Sequence, residues 1–144
     1  MLISKDDCFI LDFEGEPGRT LAERRQKAPA ARDVAGLIRS IDYSATAALL
    51  RAHSVTPEQR VLLEPKLRIW RERSTEELWK AYREVAGAEL WPADAEAAQK
   101  LLDFFLVEKA LYEIEYELTN RPAWCHVPLD GFSRIMIRHG VVTP

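Results

Sequence analysis

Apolar residues recur at helical spacing along most of the chain after Pro29. In residues 31–53 they stand three and four positions apart and fall on one face: Val34, Leu37, Ile38, Ile41, Ala45, Ala48 and Leu49. A period of about 3.6 residues is typical of an amphipathic helix that turns its apolar side toward a core. We therefore predict a long first helix over this stretch.

A second helical stretch starts at "TPEQR", where Thr56 can cap a helix whose first residue is Pro57. Pro65 has no N–H to donate, so it should kink this helix or divide it. Ser74 and Glu77 have the three-residue separation of a capping box, which indicates a second helix start. The pattern therefore predicts either one kinked helix or two helices.

Two further helices are expected in the last third of the chain. Gly87 should end the preceding stretch, and a new pattern runs from "PADAEAAQK" without a break to Asn120, before an Arg-Pro stop signal. A short helix should follow within residues 129–140, ended by Gly140.

The first residues have a different pattern, which predicts a β-hairpin over residues 1–13. "LIS" and "CFILDF" flank "KDD", so Asp6 and Asp7 should form the turn. The second run is continuously apolar, which favours a strand buried on both faces. Residues 14–30, rich in glycine and proline, should be a loop. The expected fold is mainly α: an N-terminal β-hairpin followed by four to five helices, with residues 31–144 helical.

Composition narrows the class of protein. A chain of 144 residues is expected to form a single domain. Apolar residues make up 47% and charged residues 30%, as in soluble globular proteins, and the net charge of −3 gives no support for a nucleic-acid partner. No stretch has the length of a membrane span, and the N-terminus does not resemble a signal peptide, so we expect a cytoplasmic protein with no membrane partner.

Motifs for catalysis are missing from the chain. The sequence contains no G-x-G-x-x-G, no P-loop and no G-x-S-x-G, and its three histidines have no metal-ligand spacing. Cys8 and Cys125 are far apart, and we interpret them as two reduced thiols. The residues by themselves therefore give no complete catalytic set.

Three carboxylates crowd the end of the second apolar run. Asp12, Glu14 and Glu16 lie within five residues, around Gly15. Like charges this close repel each other unless a cation lies among them, and hard divalent cations prefer oxygen ligands. A solvated loop explains the same pattern, so both interpretations remain open from these residues alone.

Several motifs together resemble a known family. "ILDFEGEP" is followed, after a basic loop, by "RDVAGLIRSIDY", and later by "EKALYEIEYELTNRPAW" and "VPLDGF". In this order they resemble the C-terminal lobe of bacterial maltokinases, which belong to the aminoglycoside-phosphotransferase branch of the protein-kinase-like fold. Such kinases are often fused behind trehalose synthase. The resemblance covers essentially the whole chain and implies the helical C-lobe of a kinase-like fold.

The resemblance assigns roles to the acidic residues. It places Asp12 at the DFG-type aspartate, which holds Mg²⁺ against the nucleotide phosphates. Glu14 would bind the metal too or contact a neighbouring loop, and Glu16 would be structural. Asp33 would brace the catalytic loop from the first turn of the next helix, where an acid is also favourable by itself.

The resemblance also shows what this chain lacks. In the family, a catalytic loop of the form H-G-D-x-H-x-G-Q precedes the hairpin, and an N-lobe supplies a nucleotide-clamping lysine. The 144 residues contain no such loop. ATP and Mg²⁺ are therefore expected as cofactors of the intact kinase and not of the isolated chain. We expect a fragment of a synthase–kinase fusion that has no catalytic residues of its own and is inactive alone.

The last long helix has two apolar faces on a helical wheel. One carries Phe104, Val107, Leu111, Ile114 and Leu118, and we interpret it as the core face. The other carries Lys109, Tyr112 and Tyr116, with Phe105 and Glu113 on the same side. Such aromatic residues either pack against another helix or cover the apolar face of a sugar. The resemblance favours the sugar, because maltokinases bind maltose through a Lys/Tyr/Tyr set on a late helix.

The leading hypothesis is the C-terminal portion of an ATP-dependent maltokinase, which converts maltose to maltose 1-phosphate. Its partners would be maltose or a related α-glucoside, the rest of the kinase and the trehalose synthase domain. Two alternatives remain: the C-lobe of another small-molecule kinase, and a non-catalytic module that binds α-glucan or tethers subunits.

Overall fold

The computed structural model describes residues 2–5, 7–11, 15–51 and 55–143. This part of the chain is mainly helical, as the apolar pattern predicts. Its elements, in chain order, are β1 (Leu2–Ser4), β2 (Asp7–Phe9), α1 (Leu21–Arg24), α2 (Ala31–Arg51), α3 (Pro57–Val85), α4 (Ala95–Asn120) and α5 (His126–Arg138). Short 3₁₀ turns at Ala88–Leu90 and Pro122–Trp124 flank α4.

Helices α2, α4 and α5 pack on one another and enclose the core, and α3 packs along α2. The core consists of Ala31, Val34, Ala35, Ile38, Trp91, Ala98, Leu102, Phe105, Leu106 and Ile135. Every residue of α3 is described and none of them is buried, although Leu78, Trp79 and Tyr82 pack against the edge of the core. Helix α3 is therefore peripheral and packs on the outside of the core.

The predicted apolar face of α2 is confirmed over most of its length. Val34, Ile38, Ile41 and Ala45 are buried, whereas Ala48 near the far end is exposed. The end of α4 at Asn120 is also confirmed, and the Asp94 carboxylate caps its start by accepting from the Ala97 N–H.

The predicted division of the second helical stretch is wrong. Helix α3 continues through Pro65 and Ser74 as one element, and Thr56 with Gln59 forms the capping box at its start. Pro65 lies on the exposed side, where water can satisfy the carbonyl that its missing N–H leaves free. Ser74 does not act as a cap because the strong helix formers before it keep the chain helical.

The last helix starts earlier than predicted, at His126 rather than within residues 129–140. Its predicted stop is confirmed, because Gly140 has a φ of 68° and directly follows the capping residue His139. The left-handed backbone conformation at this position favours glycine. The Val141 N–H then donates to the Met136 carbonyl over 2.9 Å.

The N-terminal segment differs from its prediction in two respects. Strands β1 and β2 pair antiparallel, with Ser4 opposite Asp7, so Asp7 belongs to a strand and not to the turn. The second apolar run is not buried on both faces: Phe9, Ile10 and Leu11 are each about half exposed. Within the described residues the sheet has only these two strands, so it offers the run no covering layer. The segment predicted as a loop also contains α1, capped by Thr20 and Glu23.

Candidate functional site

A cleft of about 720 Å³ lies between the loop after β2, helix α2 and helix α4. Lys109 and Tyr112 line it from α4, and Glu16 lines it from the loop. The two α4 residues are three positions apart, which places them on the same face of the helix. The structure thus brings two members of the predicted sugar-binding set into one concave surface.

Lys109 holds the loop against α4. Its Nζ forms an ion pair with Glu16 and lies 5.3 Å from the centroid of the Tyr112 ring. Each of the two charged side chains is about one quarter exposed, so the pair is open to solvent on one side. Glu16, for which we predicted only a structural role, is the carboxylate that sets the position of the Lys109 ammonium.

Tyr112 forms the other half of this surface. Its hydroxyl accepts a hydrogen bond of 3.3 Å from the Gly18 N–H, and its ring stacks on Tyr116 at 6.4 Å between centroids and 23° between planes. Partial burial raises the pKa of the Tyr112 hydroxyl, against the opposing effect of the Gly18 N–H. The hydroxyl therefore keeps its proton near neutral pH and can donate it in a hydrogen bond.

Tyr116 does not line the cleft. It lies one turn behind Tyr112 with its ring 37% exposed, and the Arg121 guanidinium lies 5.7 Å from its centroid. The predicted Lys/Tyr/Tyr set is therefore one continuous stack of which Lys109 and Tyr112 reach the cleft.

The loop that closes the cleft is fixed by arginines. The Arg24 guanidinium donates to the carbonyls of Pro17 and Arg19 over 3.0 and 2.9 Å. Arg19 in turn forms an ion pair of 2.7 Å with Glu108 on α4. These contacts hold residues 15–19 in place above Lys109 and Tyr112.

Three acidic residues were predicted to bind the metal or to brace the catalytic loop. Asp33 is among the described residues, whereas Asp12 and Glu14 lie outside them. Asp33 lies exposed in the first turn of α2 and lines the same cleft. Leu11 and Gly15, which flank the two acids in sequence, line it as well. Among the described side chains there is no group of three or more His, Cys, Asp or Glu that could hold a metal ion.

The predicted core face of α4 is wrong at three of its five positions, while Val107 packs against the core as predicted. Phe104, Leu111 and Leu118, predicted to be core, are 64%, 52% and 60% exposed. Phe105 and Glu113, predicted to stand on the sugar face, are buried against the rest of the helices. Both faces are apolar at helical spacing, so periodicity alone could not decide which of them meets α2.

A network of buried charges, which the sequence did not predict, lies between α2 and α4. Arg39 on α2 is 1% exposed; it donates to Glu113 over 2.7 Å and forms an ion pair with Asp42. Helix α5 passes so close to this guanidinium that a Cβ on Gly131 would lie 2.8 Å from Arg39 Cζ. A signal was available, because Arg39 and Asp42 interrupt the apolar face of α2 at a separation of three residues.

A second buried carboxylate lies further along α4. Glu117 is 1% exposed, accepts from the Tyr43 hydroxyl over 2.9 Å and from the Arg121 guanidinium over 2.6 Å. Burial, followed by the charge of Glu113 and the bond to Glu117, raises the pKa of Tyr43 far above its ordinary value. Tyr43 is therefore a permanent donor that ties α2 to α4.

No known protein-family model matches this chain. None of the helices in the described part of the chain is both long enough and apolar enough to cross a lipid bilayer.

Proposed function

We propose that this chain is the C-terminal-lobe portion of an ATP-dependent maltokinase. The intact enzyme would transfer the γ-phosphoryl group of ATP to the anomeric hydroxyl of maltose and release maltose 1-phosphate. The observation that carries the proposal is the placement of Lys109 and Tyr112 side by side in the cleft of about 720 Å³. The order of the motifs along the sequence supports the same family.

The chemistry of this surface suits a sugar. The partly exposed Tyr112 ring can cover the apolar face of a pyranose, while its hydroxyl hydrogen-bonds a sugar hydroxyl. The Lys109 ammonium has three N–H donors, one of which donates to the Glu16 carboxylate. A neutral, polyhydroxylated ligand suits the pair of Lys109 and Glu16, whose charges compensate each other, because the ligand adds no charge.

The phosphate side of the proposed reaction rests on Asp12 and Glu14. In the intact kinase these carboxylates would hold Mg²⁺, which neutralises charge on the nucleotide phosphates when it is bound. Both acids fall between Leu11 and Gly15, two residues that line the sugar cleft. The sequence therefore keeps the proposed metal ligands within a few residues of the proposed sugar site.

Replacing Tyr112 by alanine in the intact kinase should raise the KM for maltose about tenfold or more and leave the KM for ATP nearly unchanged. The reason is the loss of both the ring that covers the sugar and its hydroxyl. Steady-state kinetics with each substrate varied in turn measures the two constants. Leu111→Ala is the matched control, because Leu111 precedes Tyr112 on α4 and is 52% exposed outside the cleft.

A merely structural Tyr112 predicts a different result. The melting temperature of Tyr112→Ala would then fall strongly, and the folded fraction would bind maltose normally. That combination of results would mean that maltose does not bind at this face of α4.

The chain by itself should form no maltose 1-phosphate from ATP, Mg²⁺ and maltose. Phosphoryl transfer needs a positioned base and clamped phosphates, and the 144 residues contain no H-G-D-type loop. Phosphorus NMR of the reaction mixture, beside a mock purification, measures the product. Turnover above the level of the mock purification would contradict the prediction that this chain is inactive without the rest of the kinase.

The isolated chain and the intact enzyme together separate the alternatives. A non-catalytic glucan-binding or tethering module would bind maltose or oligomerise with no response to nucleotide. A kinase for another small molecule would become apparent when the intact enzyme is offered a panel of sugars and alcohols.

A further inference from the structure

A second cleft, of about 680 Å³, lies among helices α2, α3, α4 and α5. It shares no lining residue with the cleft around Lys109, so it is independent of the proposed kinase function. Its apolar wall is formed by Trp79 of α3, Leu102 and Leu106 of α4, and Ile135 of α5. Leu102, Leu106 and Ile135 are only 2–6% exposed, so the wall presents mainly the Trp79 ring to an apolar ligand.

Four arginines and three carboxylates line this cleft, and two of the arginines, Arg71 of α3 and Arg134 of α5, share the same acidic partners. Both pair with the buried carboxylate of Asp42: Arg71 Nε lies 3.2 Å from Oδ1, and Arg134 Nη2 donates to Oδ2 over 2.8 Å. Asp42 also forms an ion pair with Arg39, so this inner carboxylate pairs with three arginines, all of which line the cleft.

The outer sides of the same two arginines meet a second carboxylate. Asp130 Oδ2 accepts from Arg71 Nη1 over 3.3 Å and forms a short ion pair with Arg134. The Asp130 side chain is 59% exposed, whereas that of Asp42 is 9% exposed. An ion pair this open to water is weak, so Asp130 can leave without disturbing the inner pair.

We propose that this cleft binds a small organic carboxylate with an apolar body. The ligand carboxylate takes the place of Asp130 between Arg71 and Arg134, and its apolar body lies against Trp79. A carboxylate is the fitting group because the two arginines already hold one in this position, and planar guanidiniums match carboxylate geometry. Asp130 is thus a built-in competitor for the site.

The experiment titrates the full 144-residue chain with 3-phenylpropionate in a calorimeter, and with 3-phenylpropionamide as the uncharged analogue of the same shape. We expect the carboxylate to bind and the amide to bind at least about tenfold more weakly, since hydrogen bonds to a charged partner are lost. Asp130→Asn should tighten binding of the carboxylate about two- to fivefold, because the competitor is removed. Arg134→Gln should weaken it about tenfold or more, while Arg39 and Arg71 still hold Asp42.

Glu115→Gln is the matched control, because it removes one negative charge from the exposed side of α4, away from the cleft. Tightening by Asp130→Asn and not by Glu115→Gln supports the proposal. Equal effects of the two substitutions, equal binding of acid and amide, or no binding of the acid to Asp130→Asn at millimolar concentration would each overturn it.

Discussion

Replacing Arg39 by methionine is expected to lower the free energy of unfolding by about 3–5 kcal/mol. The substitution keeps most of the side-chain volume but leaves two buried carboxylates short of a partner. Among the described residues, Glu113 has its hydrogen bond from Arg39, while Asp42 keeps Arg71 and Arg134. Chemical denaturation at neutral pH measures the loss.

The control for this prediction is Lys100→Met, which removes a cation from an exposed pair with Glu96. It should leave the midpoint of denaturation unchanged within error. Adding Glu113→Gln to Arg39→Met should restore part of the loss, because it removes the stranded charge. A single variant as stable as the parent protein would mean that the buried network contributes nothing to the fold.

The deficit of Arg39→Met should also depend on pH. Burial already raises the pKa of Glu113, and Arg39 opposes that shift. Without Arg39 the folded-state pKa of Glu113 is higher still than its unfolded value. The folded variant therefore takes up a proton more readily, so its deficit is smallest in acid and grows as the pH rises through the raised pKa.

Phe105→Ala should destabilise the protein by about 3–5 kcal/mol, and Phe104→Ala by less than about 0.5 kcal/mol. The two phenylalanines are adjacent on α4, yet Phe105 is 9% exposed and Phe104 is 64% exposed. Each substitution is thus the matched control for the other, because both replace phenylalanine by alanine at neighbouring positions of the same helix. Thermal and urea unfolding of the pair give the two values.

The opposite order would restore the face assignment that the sequence favoured. If Phe104→Ala were the costly variant, the stripe of Phe104, Leu111 and Leu118 would be the inner face of α4. Equal costs would mean that both faces are covered in solution.

Much of the helical framework could be predicted from single positions. The capping pair at Thr56, the stop after Asn120 and the left-handed Gly140 are local signals, since each depends on hydrogen bonds within one turn of the chain. The apolar face of α2 is equally local. The sequence predicted the single helix α3 only as one of two alternatives, because Pro65 and the Ser74–Glu77 pair are also local signals and the continuing helix overrides both.

The candidate site could be predicted in part. Lys109 and Tyr112 share a helix face by spacing alone, and the structure places both in one cleft. Their contacts with Glu16 and Gly18 join residues more than 90 positions apart, and no periodicity records such a pairing. The same holds for the network of Arg39 and Glu113, whose partners come from different helices.

The close approach of Gly131 to Arg39 has a consequence for how related sequences can vary. Any side chain at position 131 would occupy the space of the guanidinium, because even a Cβ there would lie 2.8 Å from Arg39 Cζ. Substitutions at positions 131 and 39 are therefore coupled. A lineage that gains alanine at 131 must also move or shorten the side chain at residue 39, which would disturb its ion pair with Glu113. Glycine at 131 and arginine at 39 should accordingly be inherited together or lost together.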